Sequence, residues 1–136
     1  MLDIGAWDGA FSFECERRGA RRVVAADYFV WRNGGDKGFD YAYRALKSRV
    51  QKVNVRVEDL TTEKLGAFDL VLFLGVLYHS EDPLCYLRKM RAMCKGKAII
   101  ETNRCGRLLP TSDGVLSAGI AGERSHKLLG AEYRLC

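Results

Sequence analysis

MLDIGAWDGAFSFECERRGA (residues 1–20) reads as a strand, a tight turn and a helix, and that order decides the fold. Met1 to Ile4 is a short apolar run broken by one acid, Asp3, and fits a buried strand. Gly5 and Gly9 flank Trp7 and Asp8. Glycine at the end of a strand lets the chain turn through positive φ and lets N–H groups approach a ligand with no Cβ in the way. Residues 10–18 mix Phe11, Phe13 and Cys15 with Glu14, Glu16 and Arg17, and Gly19 stops the helix. The start of that helix favours an anion. Asp3 brings an acid to the same place. An acid beside an anion-favouring helix end suits a zwitterion, the ammonium and carboxylate of an amino acid. A tight turn without a ligand is the plainer alternative. The glycine spacing is not the G-x-G-x-x-G of dinucleotide sites.

Working outward, apolar runs alternate with helix-period segments. RRVVAAD (residues 21–27) is a strand ending in Asp27, and residues 38–49 carry Phe39, Ala42, Tyr43 and Leu46 at helical spacing. VNVRV (residues 53–57) places β-branched residues at alternate positions, as a strand does. FDLVLFLG (residues 68–75) is the nearly continuous apolar run of a central parallel strand. Residues 82–94 open with Asp82 as cap and Pro83 in the first turn of a helix, and residues 97–102 form a fifth strand. This alternation predicts an α/β, doubly wound parallel sheet of about five strands in the order 3-2-1-4-5. Ligands in such sheets bind beyond the carboxyl ends of the strands, where the strand order reverses. Residues 1–102 make this core. From residue 103 the pattern fails, and residues 103–136 read as an irregular tail without further strands.

The strand ends supply candidates. Asp27 is placed to accept hydrogen bonds from both hydroxyls of a ribose, or is an exposed strand-end acid. Glu58 and Asp59 follow the third strand and either accept from an adenine amino group or cap a helix before Thr61 and Thr62. Gly75 permits close approach of a ligand, with Tyr78 and His79 facing the site from above. Together these outline an adenosine carrying an amino acid: S-adenosylmethionine.

On these residues the sequence resembles the class I S-adenosylmethionine-dependent methyltransferases, which have a Rossmann-like fold. LDIGAWDGAFSFECERRGA, VVAAD, VEDL and FDLVLFLGVLYHSEDPLCYLRKM are similar to a subgroup of bacterial tRNA wobble-uridine methyl- and carboxymethyltransferase-like proteins. The resemblance spans residues 1–102. It implies that Asp3, Gly5 and Gly9 hold the methionine end, Asp27 the ribose and Asp59 the adenine. Gly75 to His79 then line the donor and acceptor site. Trp7 stands where the general pattern has glycine, and its indole either walls the pocket or anchors the turn in the core; the anchor is the expectation. Transfer is an in-line displacement that asks mainly for alignment, with Tyr78 or His79 to orient or deprotonate an acceptor. Carboxy-S-adenosylmethionine is the donor of the carboxymethyl-transferring relatives, whose corresponding tyrosine is expected near the extra carboxylate. The acceptor is tRNA or a small molecule.

The family sheet has seven strands, the last two an antiparallel pair beside strand five. This chain is expected to lack that pair, leaving the strand-five edge covered by the tail or open to a partner chain. The rival reading is therefore a truncated, catalytically silent nucleoside-binding or partner subunit. A nicotinamide-dependent dehydrogenase shares the fold, but the glycine spacing opposes it.

Composition agrees with a globular domain: 136 residues with 48% hydrophobic can bury a core. No apolar run approaches the ~20 residues of a membrane span, and Asp3 and Asp8 interrupt any leader-like start. The expected location is cytoplasmic, without membrane association. Five cysteines without a C-x-x-C spacing point to reduced thiols and no metal site. The net charge of +5 gathers at Arg17, Arg18, Arg21 and Arg22 and again at Arg88, Lys89, Arg91, Lys95 and Lys97. Such clusters meet phosphates or form solvated helix faces.

Overall fold

The computed structural model describes residues 1–102 and the strand segments at 110–111, 114–115, 125–128 and 131–134. The core elements are β1 (Leu2–Ile4), α1 (Ala10–Arg17), β2 (Val24–Asp27), α2 (Lys37–Ala45), β3 (Gln51–Asn54), α3 (Thr62–Leu65), β4 (Phe68–Leu74), α4 (Pro83–Met93) and β5 (Cys94–Glu101). The five strands form one parallel sheet in the order β3-β2-β1-β4-β5, as the sequence predicts. Order reverses between β1 and β4, so the crevice beside β1 is where a ligand should lie.

The period of two along each strand divides the core between the faces. Leu2, Ile4, Val24, Ala26, Val71 and Phe73 pack with Met90 and Met93 of α4 and with Leu60 and Leu65. On the other side Val23 and Ala25 pack with Phe13 of α1, Phe39 of α2 and Trp31. Each fully buried large apolar side chain stabilises the fold by roughly 1.5–3 kcal/mol. Asp3 interrupts the apolar run on the α1 face, and this is the first sign of a site.

Helix ends follow the sequence signals. Gly19 takes φ 89° just past α1. Asp82 caps α4 by accepting the Cys85 N–H at 3.0 Å, with Pro83 in the first turn.

Three expectations are corrected. The third strand is Gln51–Asn54, not 53–57, because it pairs Val24 with Gln51 and Asp27 with Asn54. Val55 and Val57 keep the β-branched alternation because they pack on the core from the connection beyond the ladder. The fifth strand starts at Cys94, directly from α4, with a register shift between Phe68 and Leu70 on its neighbour β4. Beyond residue 102, where no strand was expected, β6 (Pro110–Thr111) pairs antiparallel with β7 (Gly114–Val115) and β8 (Ser125–Leu128) with β9 (Ala131–Arg134). Strands of two to four residues are too short to show a period. Among the described residues, each of these pairs forms a two-stranded sheet of its own. Yet β9 runs within 8 Å of β5, Cα to Cα, closer than the ~10 Å of stacked sheets, so it lies along the strand-five edge. Among the described residues no helix is long and apolar enough to cross a membrane.

Candidate functional site

The turn between β1 and α1 forms the centre of the site. Gly5, Trp7 and Gly9 all adopt positive φ, at 79°, 47° and 81°. The N–H groups of Gly5 and Ala6 both donate to the Ala26 carbonyl, at 2.8 and 3.2 Å, which staples the turn to β2. A Cβ on Gly5 would collide with the Val76 side chain, and one on Gly9 would stand 2.6–2.7 Å from the rings of Phe13 and Phe39. Both positions therefore need glycine for space as well as for conformation. Gly9 begins α1, whose first turn carries no acid and no side-chain cap. The uncapped N–H groups of that first turn make an anion-favouring end.

Asp3 is buried, and its Oδ2 accepts the Ser12 hydroxyl at 2.7 Å. Burial pushes its carboxyl up to about 6; hydrogen bonds from Ser12 oppose the rise and the charge of Asp27 adds to it. A buried acid that resists ionisation alone is stabilised as a carboxylate by an incoming cation.

Asp27, at the end of β2, is also buried. Its Oδ2 accepts the Trp7 N–H and its Oδ1 the Val30 N–H, each at 3.0 Å. A carboxylate offers about four lone-pair sites, so one remains on each oxygen for a pair of hydroxyls.

Trp7 is not the core anchor expected of it: its side chain is 64% exposed at the mouth of the turn. The anchor is Trp31, 2% exposed, whose Nε1–H donates to the Trp7 carbonyl at 2.8 Å. The Trp31 ring meets Phe39 edge-on at 4.9 Å. The Lys52 ammonium sits 5.1 Å from its centroid and pairs with Asp36 and Asp40 at 2.7 and 2.6 Å. Trp31, Asp27 and the strained Trp7 backbone thus form one hydrogen-bonded unit. No local pattern reveals Trp31, because its partner lies 24 residues away.

Glu58 and Asp59 occupy a 3-10 turn, Val57–Asp59, at the exit of β3. Glu58 accepts the Tyr86 hydroxyl of α4 at 2.8 Å. Burial, reinforced by Glu58, pushes that phenol up to about 12. The Asp59 carboxylate has no hydrogen-bond partner among the described residues. Neither acid caps α3, whose cap position is Thr61.

At the exit of β4, Gly75 takes φ 70° and leads into the 3-10 turn Leu77–His79. A Cβ on Gly75 would lie 3.5 Å from Tyr78 Oη and 3.7 Å from Glu101 Oε2. Glu101 ends β5 and is a site residue that the sequence reading missed. Tyr78 is 44% exposed and packs on His79 at 4.3 Å. His79 in turn stacks on Phe29 at 6.3 Å, and Arg32 lies 5.1 Å over Phe29. The exits of β2 and β4 thus meet in a row of rings. Next to them Arg56 covers the Tyr28 ring at 4.6 Å and donates to its hydroxyl at 3.2 Å, which lowers the Tyr28 phenol.

The structure therefore gathers Asp3, Gly5, Trp7, Gly9 and Asp27 at one turn and Gly75, Tyr78 and His79 at the next. The contact between Gly5 and Val76 joins the two across β1 and β4. Glu58 and Asp59 lie on the exit of the edge strand. A groove of about 300 Å³ between α2 and β3, lined by Phe39, Asp40, Tyr43, Arg49 and Lys52, is separate from this cluster.

Residues 1–127 match the family model described as a methyltransferase domain. The chain belongs to this family. Within it, the methyltransferase domain is 33% identical over 108 residues to the tRNA U34 carboxymethyltransferase of Dichelobacter nodosus (strain VCS1703A), covering 75% of this chain and 32% of that protein. It is 30% identical over 122 residues to the tRNA U34 carboxymethyltransferase of Alcanivorax borkumensis (strain ATCC 700651 / DSM 11573 / NCIMB 13689 / SK2), covering 81% and 35%. The chain thus spans about a third of the length of these relatives. Among solved structures it is similar to N-methyltransferase NodS from Bradyrhizobium japonicum WM9, in complex with S-adenosyl-L-homocysteine. That match has a TM-score of 0.52 and 26% identity, covering 68% of this chain and 45% of the other.

Proposed function

We propose that the domain binds S-adenosylmethionine across the carboxyl ends of β1, β2 and β4 and transfers its methyl group to an acceptor. The observation that carries this reading is Asp27. It is buried and held by two backbone N–H groups, with one lone pair left on each oxygen for the ribose diol. The turn beside it fits the rest of the molecule. Asp3 meets the ammonium, the start of α1 the carboxylate, and Gly5 and Gly9 hold the positive-φ turn that joins them, packed on Val76, Phe13 and Phe39. Asp59, unlike Glu58, is available to the adenine amino group. Trp7 then walls the mouth of the pocket.

When bound, the donor supplies an already activated methyl group, so the protein's task is alignment. Gly75 leaves room for the transferring group, and Tyr78 or His79 orients the acceptor or takes its proton. The acceptor class is tRNA or a small molecule. The names of the relatives and the row Arg32–Phe29–His79–Tyr78, which offers rings to a base and a cation to phosphate, support tRNA. Methyl-labelled donor incubated with bulk tRNA, in parallel with an S-adenosylhomocysteine titration, tests the reading. Label in tRNA supports it in full. Donor binding without turnover on any acceptor leaves the silent nucleoside-binding subunit, and no binding by folded protein refutes the donor site.

A further inference from the structure

One charged side chain at the site has no task in this reading. Glu101 closes β5, half-buried, with its Oε2 3.7 Å and the Tyr78 hydroxyl 3.5 Å from where a Gly75 Cβ would stand. Its carboxylate has no hydrogen-bond or ion-pair partner among the described residues. Among the described residues, the space beside Gly75 proposed for the transferring group thus has a phenol and an unpaired carboxylate next to it.

We infer that Glu101 selects the donor, favouring a plain methyl sulfonium over one that carries a carboxylate on the transferred carbon. The inference rests on the donor reading above. A sulfonium is a cation and is attracted to a carboxylate. A carboxymethyl sulfonium brings an anion against it, and partial burial strengthens that repulsion. The Tyr78 hydroxyl can donate one hydrogen bond to the extra carboxylate but cannot neutralise it. The relatives named as carboxymethyltransferases make this choice a real one for the chain. Repulsion of the wrong ligand is a common way to build such a preference.

The test is calorimetric titration of the full chain with S-adenosylmethionine, carboxy-S-adenosylmethionine and S-adenosylhomocysteine, for wild type, Glu101→Gln and Glu101→Asp. Wild type should favour the plain donor by roughly tenfold or more, the scale on which one like-charge contact discriminates. Glu101→Gln should close most of that gap by binding the carboxylated donor more tightly, and Glu101→Asp should keep it. S-adenosylhomocysteine has no transferable group, so its near-constant affinity reports an intact pocket in each variant. Equal or tighter wild-type binding of the carboxylated donor, or an unchanged ratio in Glu101→Gln, overturns the inference. If S-adenosylhomocysteine fails to bind folded wild type, the donor reading falls and this selection role falls with it.

Discussion

The two turns that face each other across the crevice are built differently. The β1–α1 turn is cross-linked to β2 and to Trp31 and filled where a side chain would go at Gly5 and Gly9, with the Trp7 side chain exposed at its mouth. The β4 exit presents exposed rings and polar tips, Tyr78, His79 and the facing Phe29, held mainly by ring contacts. The lesson is a division of labour. Under the proposed function the first turn is the donor side, shaped for one unvarying molecule and tolerating little. The second is the acceptor side, a surface whose contacts can change without disturbing the fold.

Substitutions should separate the two sides by size of effect. Gly5→Val adds a Cβ at φ 79° that strikes Val76, so strain and overpacking together cost roughly 3 kcal/mol or more. A thermal melt should show the loss, and S-adenosylhomocysteine binding should vanish with it. A melt within a degree of wild type would break the comparison.

Asp3 comes next, and its effect has a sign. The folded carboxyl sits near 6, above its ordinary 3.8, so the folded state binds the extra proton and is favoured at low pH. That stability is lost as pH rises from about 4 through about 6, a change of up to about 3 kcal/mol. Asp3→Asn should flatten this dependence and leave the ligand-free protein more stable than wild type at pH 7.5, while weakening donor binding. Melts across pH check the first part and titration the second. A variant that loses stability at pH 7.5 would assign Asp3 a structural role.

Trp31→Phe keeps the packing but removes the bond to the Trp7 carbonyl. The expected cost is about 1–2 kcal/mol, with weaker S-adenosylhomocysteine binding because the Trp7 N–H to Asp27 loosens. Phe29→Ala should be the mildest, within about 0.5 kcal/mol in a denaturant melt because the ring is 74% exposed. Donor affinity should hold while methyl transfer falls. Equal losses in both would erase the distinction between the two sides.

The same contrast explains what the sequence makes legible. Strand order, both glycines of the first turn and Asp27 are readable because alternation and strand-end positions are local signals. The third strand is misplaced by two residues at its start and three at its end because Val55 and Val57, partly buried, pack on the core from a connection, and burial writes the same pattern as pairing. The tail hairpin is too short and polar to show a period. Trp31 takes the anchoring role expected of Trp7, and the sequence does not show it because a hydrogen bond between a side chain and a distant carbonyl leaves no trace in spacing. Glu101 joins Tyr78 only through the β4–β5 pairing, which no motif contains.

The most direct test of the account is calorimetric titration of folded protein with S-adenosylhomocysteine, wild type beside Asp27→Ala. The account predicts binding by wild type that Asp27→Ala weakens by roughly 1–3 kcal/mol, the scale of lost hydrogen bonds to a charged group. Near-ultraviolet circular dichroism would confirm that both proteins are folded. Equal affinity in the two proteins, or no binding by folded wild type, would contradict it.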